Sequence, residues 1–210
     1  MKATLFLSLT LMATTPQVVA AQNFATCTKV ERGQFLAAAD RAERLALTAT
    51  SAIGPNPVFD RWFGGYNAKS GEIVRKNLKS MVRALQSGEI TAACKNNGQG
   101  LCAPDTYAFV NRDTPFVVNL CPNFFTMDTM KQLTEETAVT GNGTRAGTII
   151  HEISHFTDVS GTEDHCYSRT ECTRMAENLP LDALLNADSY QYFVEDVTFF
   201  GMLGEPESVE

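Results

Sequence analysis

The sequence predicts an α+β domain that is predominantly α-helical, with a small β-hairpin and a set of disulfides. Three observations carry this. Apolar residues recur at three- and four-residue steps over several long stretches. Two short runs rich in β-branched and aromatic residues flank one turn. Six cysteines follow a segment that reads as an export leader. At 210 residues, with 44% hydrophobic and 20% charged residues, the chain suits one well-filled core rather than two.

Residues 1–21 read as a signal peptide. Lys2 precedes an apolar run from Leu5 to Met12, and Val18-x-Ala20 and Val19-x-Ala21 each suit a signal peptidase. That run is far shorter than the ~20 residues of a membrane span. The expected mature domain is therefore 22–210, secreted and extracellular, or periplasmic in a bacterium that retains it. In such a compartment Cys27, Cys94, Cys102, Cys121, Cys166 and Cys172 are expected to form three disulfides, with the pairing left open by sequence. Cysteine ligation of zinc is not expected, because no C-x2-C pair occurs.

The first helix is expected from Val30 to about Thr48, where Phe35, Ala39, Ala42 and Leu45 share a face and Asp40, Arg41, Glu43 and Arg44 intervene. GPNP at 54–57 breaks the pattern. A second helix should run from Gly71 to Ser87, capped by Ser70, closed near Gly88, with Val74, Leu78, Met81 or Val82, and Leu85 inward. YAFV (107–110) and FVVNL (116–120) around the turn-like NRDTP predict the hairpin. The polar segment 131–146 reads as a surface loop. A helix from about Ala146 to Asp158 follows, and a last one from Ala187 to Phe200 with Tyr190, Phe193, Val194, Val197 and Phe200 on one face. The tail GEPESVE reads as frayed.

A formal charge of −7 disfavours nucleic acid as a partner, since phosphate binding needs a basic surface. No later segment of the sequence is apolar enough to span a membrane, so a soluble mature protein is expected, and the expected state is a monomer with no membrane partner. Asn142-Gly-Thr144 is a glycosylation sequon, relevant only in a eukaryotic secretory pathway.

Chemistry concentrates in residues 147–168, GTIIHEISHFTDVSGTEDHCYS, which hold all three histidines. On a helix, His151 and His155 lie on one face with Cβ atoms ~5–6 Å apart. Two imidazoles at that spacing can reach one Zn2+ at ~2.0–2.1 Å. Glu152, beside the first, is placed to act on water rather than on the metal. Ile149, Ile150, Ile153 and Phe156 supply the apolar backing. A catalytic zinc needs a third protein ligand and an open position. A histidine ten residues after His151 is ruled out, because Gly161 stands there. Glu171, Glu177 and Glu195 are available from later segments. Asp164 is favoured on local grounds: Gly161 can take a positive φ, ending the helix after Ser160, and Thr162 can steady the turn through its hydroxyl. His165 is assigned no ligand role.

The run HEISHFTDVSGTED, with Tyr167 three residues on, resembles the aspzincin metallopeptidases, the family of deuterolysins and peptidyl-Lys metalloendopeptidases. WFG at 62–64, the cysteines of 94–121, AGT at 146–148 and NADSYQYF at 186–193 extend the likeness over nearly the whole mature chain. The resemblance implies a zincin-like metallopeptidase domain over 22–210 with one Zn2+, bound by His151, His155 and Asp164. It implies Glu152 as general base and Tyr167 as a donor to the oxyanion. It implies the bridges Cys27–Cys94 and Cys102–Cys121, which leaves Cys166–Cys172. Ser168 departs from the pattern, standing where many members have glycine, and Cys166 lies within the loop carrying Tyr167. On this reading a signal peptide alone is expected before the domain, where most secreted relatives are made with a long propeptide.

What the resemblance implies is a secreted zinc endopeptidase acting on polypeptides. The Lys-specific branch adds a reading of Asp188 as a substrate-binding carboxylate for lysine after the scissile bond. The alternative for Asp188 is a helix-terminal aspartate serving the amides of Tyr190 and Gln191. Two other functions stay open: a proteolytic toxin or virulence factor with a narrow target, and a non-catalytic exported metal-binding domain. The latter has no use for Glu152.

Overall fold

Helix α1 (Lys29–Ser51) is the centre around which the computed structural model, describing residues 23–203, is organised. The expected signal peptide and the tail 204–210 lie outside the described residues. Thr28 caps α1 in a capping box with Glu31, each side chain bonding the other's backbone N–H. Its inward face is Phe35, Ala38, Ala39, Ala42, Leu45, Ala46 and Ala49. Short side chains there let neighbouring helices approach closely.

Three helices pack on that face. Helix α3 (Ala68–Gln86) starts earlier than sequence periodicity suggests, and its cap is Asn67, not Ser70. Asn67 Oδ1 accepts from the Lys69 and Ser70 amides, and Ser70 Oγ accepts from the Asn67 amide, so serine closes the capping box from inside the helix. Helices α5 (Arg145–His155) and α8 (Ala187–Leu203) are the others, and they also pack on each other. In α8, Tyr190, Phe193 and Val194 are buried as expected.

Helix α2 (Pro57–Phe63) follows the GPNP break: Asn56 Oδ1 accepts two of its free amides, and Pro57 has no amide to satisfy. It buries Phe59, Trp62 and Phe63 against Tyr190, Tyr192 and Phe193 of α8. The segment 131–146 is not only a surface loop, since it contains α4 (Glu135–Thr140), capped by Thr134. Helices α6 (Arg169–Asn178) and α7 (Pro180–Ala183) link the metal-motif region to α8.

The expected hairpin is present as β3 (Ala108–Val110) antiparallel to β4 (Val117–Leu120), with Phe109 opposite Asn119. It belongs to a larger sheet. β1 (Asn23–Ala25) and β2 (Thr91–Cys94) pair parallel, and β2 pairs parallel with β4, giving the order β1-β2-β4-β3. β3 is therefore an edge strand, and it lies against α5.

The disulfides are Cys27–Cys94, Cys102–Cys121 and Cys166–Cys172. The first ties the link between β1 and α1 to β2, the second holds the loop before β3 to the end of β4, and the third closes the start of α6. Among the described residues, no helix is long and apolar enough to cross a membrane.

Candidate active site

Helix α5 is polar where it faces solvent-accessible space and apolar where it meets α1 and α8. Ile149, Ile150 and Ile153 are fully buried, while His151 and His155 are half-buried on the open side. Gly147 allows its closest approach to α8: a Cβ there would fall 1.9 Å from Glu195 Oε1. The helix stops at His155, short of the expected Asp158, because Phe156 turns to ψ 128°. The Phe156 carbonyl then accepts from the amides of Val159, Ser160 and Gly161. Gly161 has φ 61°, the left-handed conformation expected of it.

Thr162 returns the chain to the helix in three ways. Its amide donates to the Ser154 carbonyl (3.1 Å), and its hydroxyl meets Ser154 Oγ (2.6 Å). Its carbonyl lies 2.9 Å from His155 Nδ1, which must carry the proton because a carbonyl only accepts. Similarly, His151 Nδ1 donates to Asp188 Oδ1 at 2.7 Å. Both imidazoles are thereby fixed with Nε2 inward.

The inward atoms form a nearly equilateral triangle. His151 Nε2 and His155 Nε2 are 3.1 Å apart, and Asp164 Oδ1 is 3.3 and 3.4 Å from them. Ligands at ~2.0–2.2 Å on a tetrahedral ion are spaced ~3.3–3.5 Å from one another, so this donor set fits one zinc with a position to spare. Among the described residues this is the one cluster of histidine, cysteine or carboxylate atoms close enough to hold a metal. Glu195 is occupied elsewhere, accepting from the Thr144 amide and hydroxyl and from Arg169. His165 does not line the cleft; its amide, with that of Cys166, donates to Asn186 Oδ1.

Glu152 is 5% exposed yet lines the same cleft. Burial raises its pKa, against the pull of the two histidines. Asp164 is pushed the other way: its hydrogen bonds and charge contacts with both histidines outweigh partial burial and hold it far below the usual carboxylate range. Tyr167 stands on the cleft wall, and burial together with the charge of Asp164 pushes its phenol up to about 12, so it remains a donor at neutral pH. Asp188 also reaches the cleft, but its carboxylate is engaged by His151 rather than by the helix amides of Tyr190 and Gln191. That orienting contact was not anticipated from sequence; the only sign of it was an aspartate in an apolar helix.

The cleft has a volume of about 750 Å³. Leu101, Tyr107 and the edge strand β3 form one wall, Tyr167 and Tyr192 the other. Asp105, Glu152, Asp164 and Asp188 line it, and among the described residues no lysine or arginine does. A cavity with this balance attracts cationic ligands.

Ser168 adopts φ 73° and ψ 152°, a region that is essentially glycine's. The serine keeps the conformation and uses its hydroxyl to cap α6, accepting from the Glu171 amide.

Residues 48–195 match the model of the aspzincin family, described as lysine-specific metallo-endopeptidase. An extracellular protease of Aeromonas hydrophila is 34% identical over 86% of the chain, and a peptidyl-Lys metalloendopeptidase of Pleurotus ostreatus is 31% identical over 82%. The chain spans about half of the Aeromonas protein (49%) but 96% of the Pleurotus one. The solved zinc peptidase of Grifola frondosa superposes with a TM-score of 0.68 at 26% identity, covering 81% of this chain and 97% of its own. With a family match across most of its length, the chain belongs to the aspzincin metallopeptidases.

Proposed function

We propose that the protein is a secreted zinc endopeptidase that cleaves polypeptides, with one metal per chain and a preference for lysine after the scissile bond. The observation that carries this reading is the triangle of His151 Nε2, His155 Nε2 and Asp164 Oδ1 beside a buried Glu152, at the floor of an open cleft. A metal held only for stability has no need of an adjacent carboxylate that is kept off the ligand set.

In this reading His151, His155 and Asp164 hold the ion, which when bound supplies Lewis-acid chemistry, acidifying water and polarising a carbonyl. Glu152 takes a proton from the attacking water and returns it to the amine that leaves as the C–N bond breaks. The desolvated position of Glu152 favours that exchange, since burial brings its affinity for protons closer to neutrality. Tyr167 donates a hydrogen bond to the carbonyl oxygen as it gains charge; one such donor is worth ~2.7–4 kcal/mol in rate. The free edge of β3 offers unpaired backbone groups to an extended substrate. Asp188 serves twice, aiming His151 and contributing negative charge to the pocket that would receive an ammonium group.

The test is zinc content and casein hydrolysis for wild type and Glu152→Gln. The variant should keep its zinc and lose activity; equal activity in the two would refute the mechanism. Lysine preference is read separately, by mass-spectrometric mapping of cuts in a denatured protein. Cuts scattered without lysine on the C-terminal side would remove that part of the proposal.

A further inference from the structure

We propose that Arg169 is a positioning residue that holds Tyr167 in place for catalysis. The inference deepens the endopeptidase reading and rests on it. Tyr167 is 59% exposed, so packing does not fix its ring. Besides the hydrogen bond between its hydroxyl and Asp164, its placement is inherited from the backbone on either side. On the N-terminal side, Asn186, fully buried, accepts from the amides of His165 and Cys166. On the C-terminal side comes Ser168, in its glycine-like conformation, and then Arg169.

Arg169 is 5% exposed, two residues from a tyrosine at the cleft wall. One guanidinium nitrogen donates to Asp196 Oδ1 at 2.6 Å and another to Glu195 Oε2 at 3.0 Å. The guanidinium plane also lies over the ring of Tyr192, 4.4 Å from its centroid, with Trp62 at 5.5 Å. The acceptors are themselves fixed. Asp196 Oδ2 takes the Trp62 indole N–H at 2.9 Å, and Glu195 Oε1 takes both the amide and hydroxyl of Thr144, the residue that caps α5. Arg169 thus joins the loop bearing Tyr167 to α8 and, through Glu195, to the helix bearing His151 and His155.

A non-glycine residue in the conformation of Ser168 persists only where its surroundings over-determine it. The Cys166–Cys172 bridge and Asn186 constrain the segment before Ser168 and the body of α6. Arg169 pins the residue immediately after it, beside the bonds that Ser168 itself accepts from the Glu171 and Cys172 amides. A planar fork between two carboxylates fixes both the position and the rotation of the backbone that carries it, which a lysine point charge does not.

The test is a double-mutant cycle between Arg169→Lys and Tyr167→Phe in the zinc-loaded full chain, with kcat and KM measured separately. Tyr167→Phe should lower kcat by about 10²–10³-fold, the typical loss of one oxyanion donor. Arg169→Lys should lower kcat by about 10–100-fold with KM changed by less than about threefold, as expected for a misplacement of ~1 Å. In the Tyr167→Phe background the same lysine substitution should cost less than about twofold, because there is no longer a donor to misplace. A loss of equal size in both backgrounds overturns the positioning role, as does a Tyr167→Phe variant as active as wild type. Asp196→Asn removes one of the two carboxylate contacts and is scored by the same non-additivity; it decides the question when Arg169→Lys yields no folded protein. A zinc-loaded wild type without hydrolytic activity would refute the endopeptidase reading itself, whereas additive losses on an active wild type refute only the role of Arg169.

Discussion

Two glycines in helices give opposite expectations for the same substitution. Alanine is favoured over glycine in a helix interior by ~0.8–1.0 kcal/mol. At Gly33 in α1 nothing lies within 4 Å of an added Cβ, so Gly33→Ala should gain most of that. At Gly147 in α5 the methyl would meet Glu195 Oε1 at 1.9 Å and Gln191 Cγ at 2.9 Å. Glu195 cannot swing aside freely, since Oε1 holds the Thr144 amide and hydroxyl at 2.7 and 2.8 Å and Oε2 holds Arg169. Losing one hydrogen bond to a charged group costs ~1.5–3 kcal/mol, and overpacking adds ~1–3. After the helix gain of ~1 is subtracted, Gly147→Ala should destabilise by roughly 1.5–5 kcal/mol. Urea unfolding at fixed zinc measures both. A domain of this size shifts by ~2–4 °C per kcal/mol, so thermal melts should separate the two variants clearly. A Gly147→Ala protein as stable as wild type, beside a stabilised Gly33→Ala, would show that α5 and α8 do not approach as described.

Asp188→Asn should weaken zinc binding by about 10–100-fold, the usual consequence of removing the carboxylate behind a ligating histidine; competition against a chelator reads this, and an unchanged affinity would remove Asp188 from the support of His151. Ser168→Gly should raise stability by roughly 0.5–2 kcal/mol, because relief of ~1–3 kcal/mol of backbone strain exceeds glycine's entropic cost of ~0.5–1 and the small loss of a serine cap. A less stable Ser168→Gly protein in denaturant titration would contradict the backbone geometry at that residue.

The elements with strong periodicity or clear alternation were readable in the sequence: α1, α3, α8, the β3–β4 hairpin and the histidine helix α5. Those that escaped share a physical cause. β1 and β2 are three and four residues long, and β2 reads TAAC, small residues whose pairing is settled by the sheet rather than by pattern. α6 is mostly polar, with Cys172, Met175 and Ala176 its few apolar residues, and its register comes from Arg169, Cys172, Met175 and Ala176 turned inward by tertiary contacts. The signal for α2 was present as asparagine followed by proline, a cap and a first-turn residue, but a seven-residue helix shows no period. In the site, spacing pointed to His151 and His155 and turn chemistry with the family resemblance to Asp164, and the structure sets their inward atoms in one triangle. The residues that aim them did not. Asp188, Asn186 and the pair Glu195–Asp196 are polar side chains in or next to an apolar helix, and which partner each finds depends on how α8 packs.

That division follows the order of the chain. The three inward atoms of the triangle all come from residues 151–164, so bringing them together closes one short loop, whose entropic cost is small and grows only with the logarithm of its length. The side chains that fix their rotation come from residues 186–196 and arrive only when α8 docks antiparallel to α5. The residues that could hold an ion are thus neighbours in the chain, whereas the side chains that aim them belong to the last described helix.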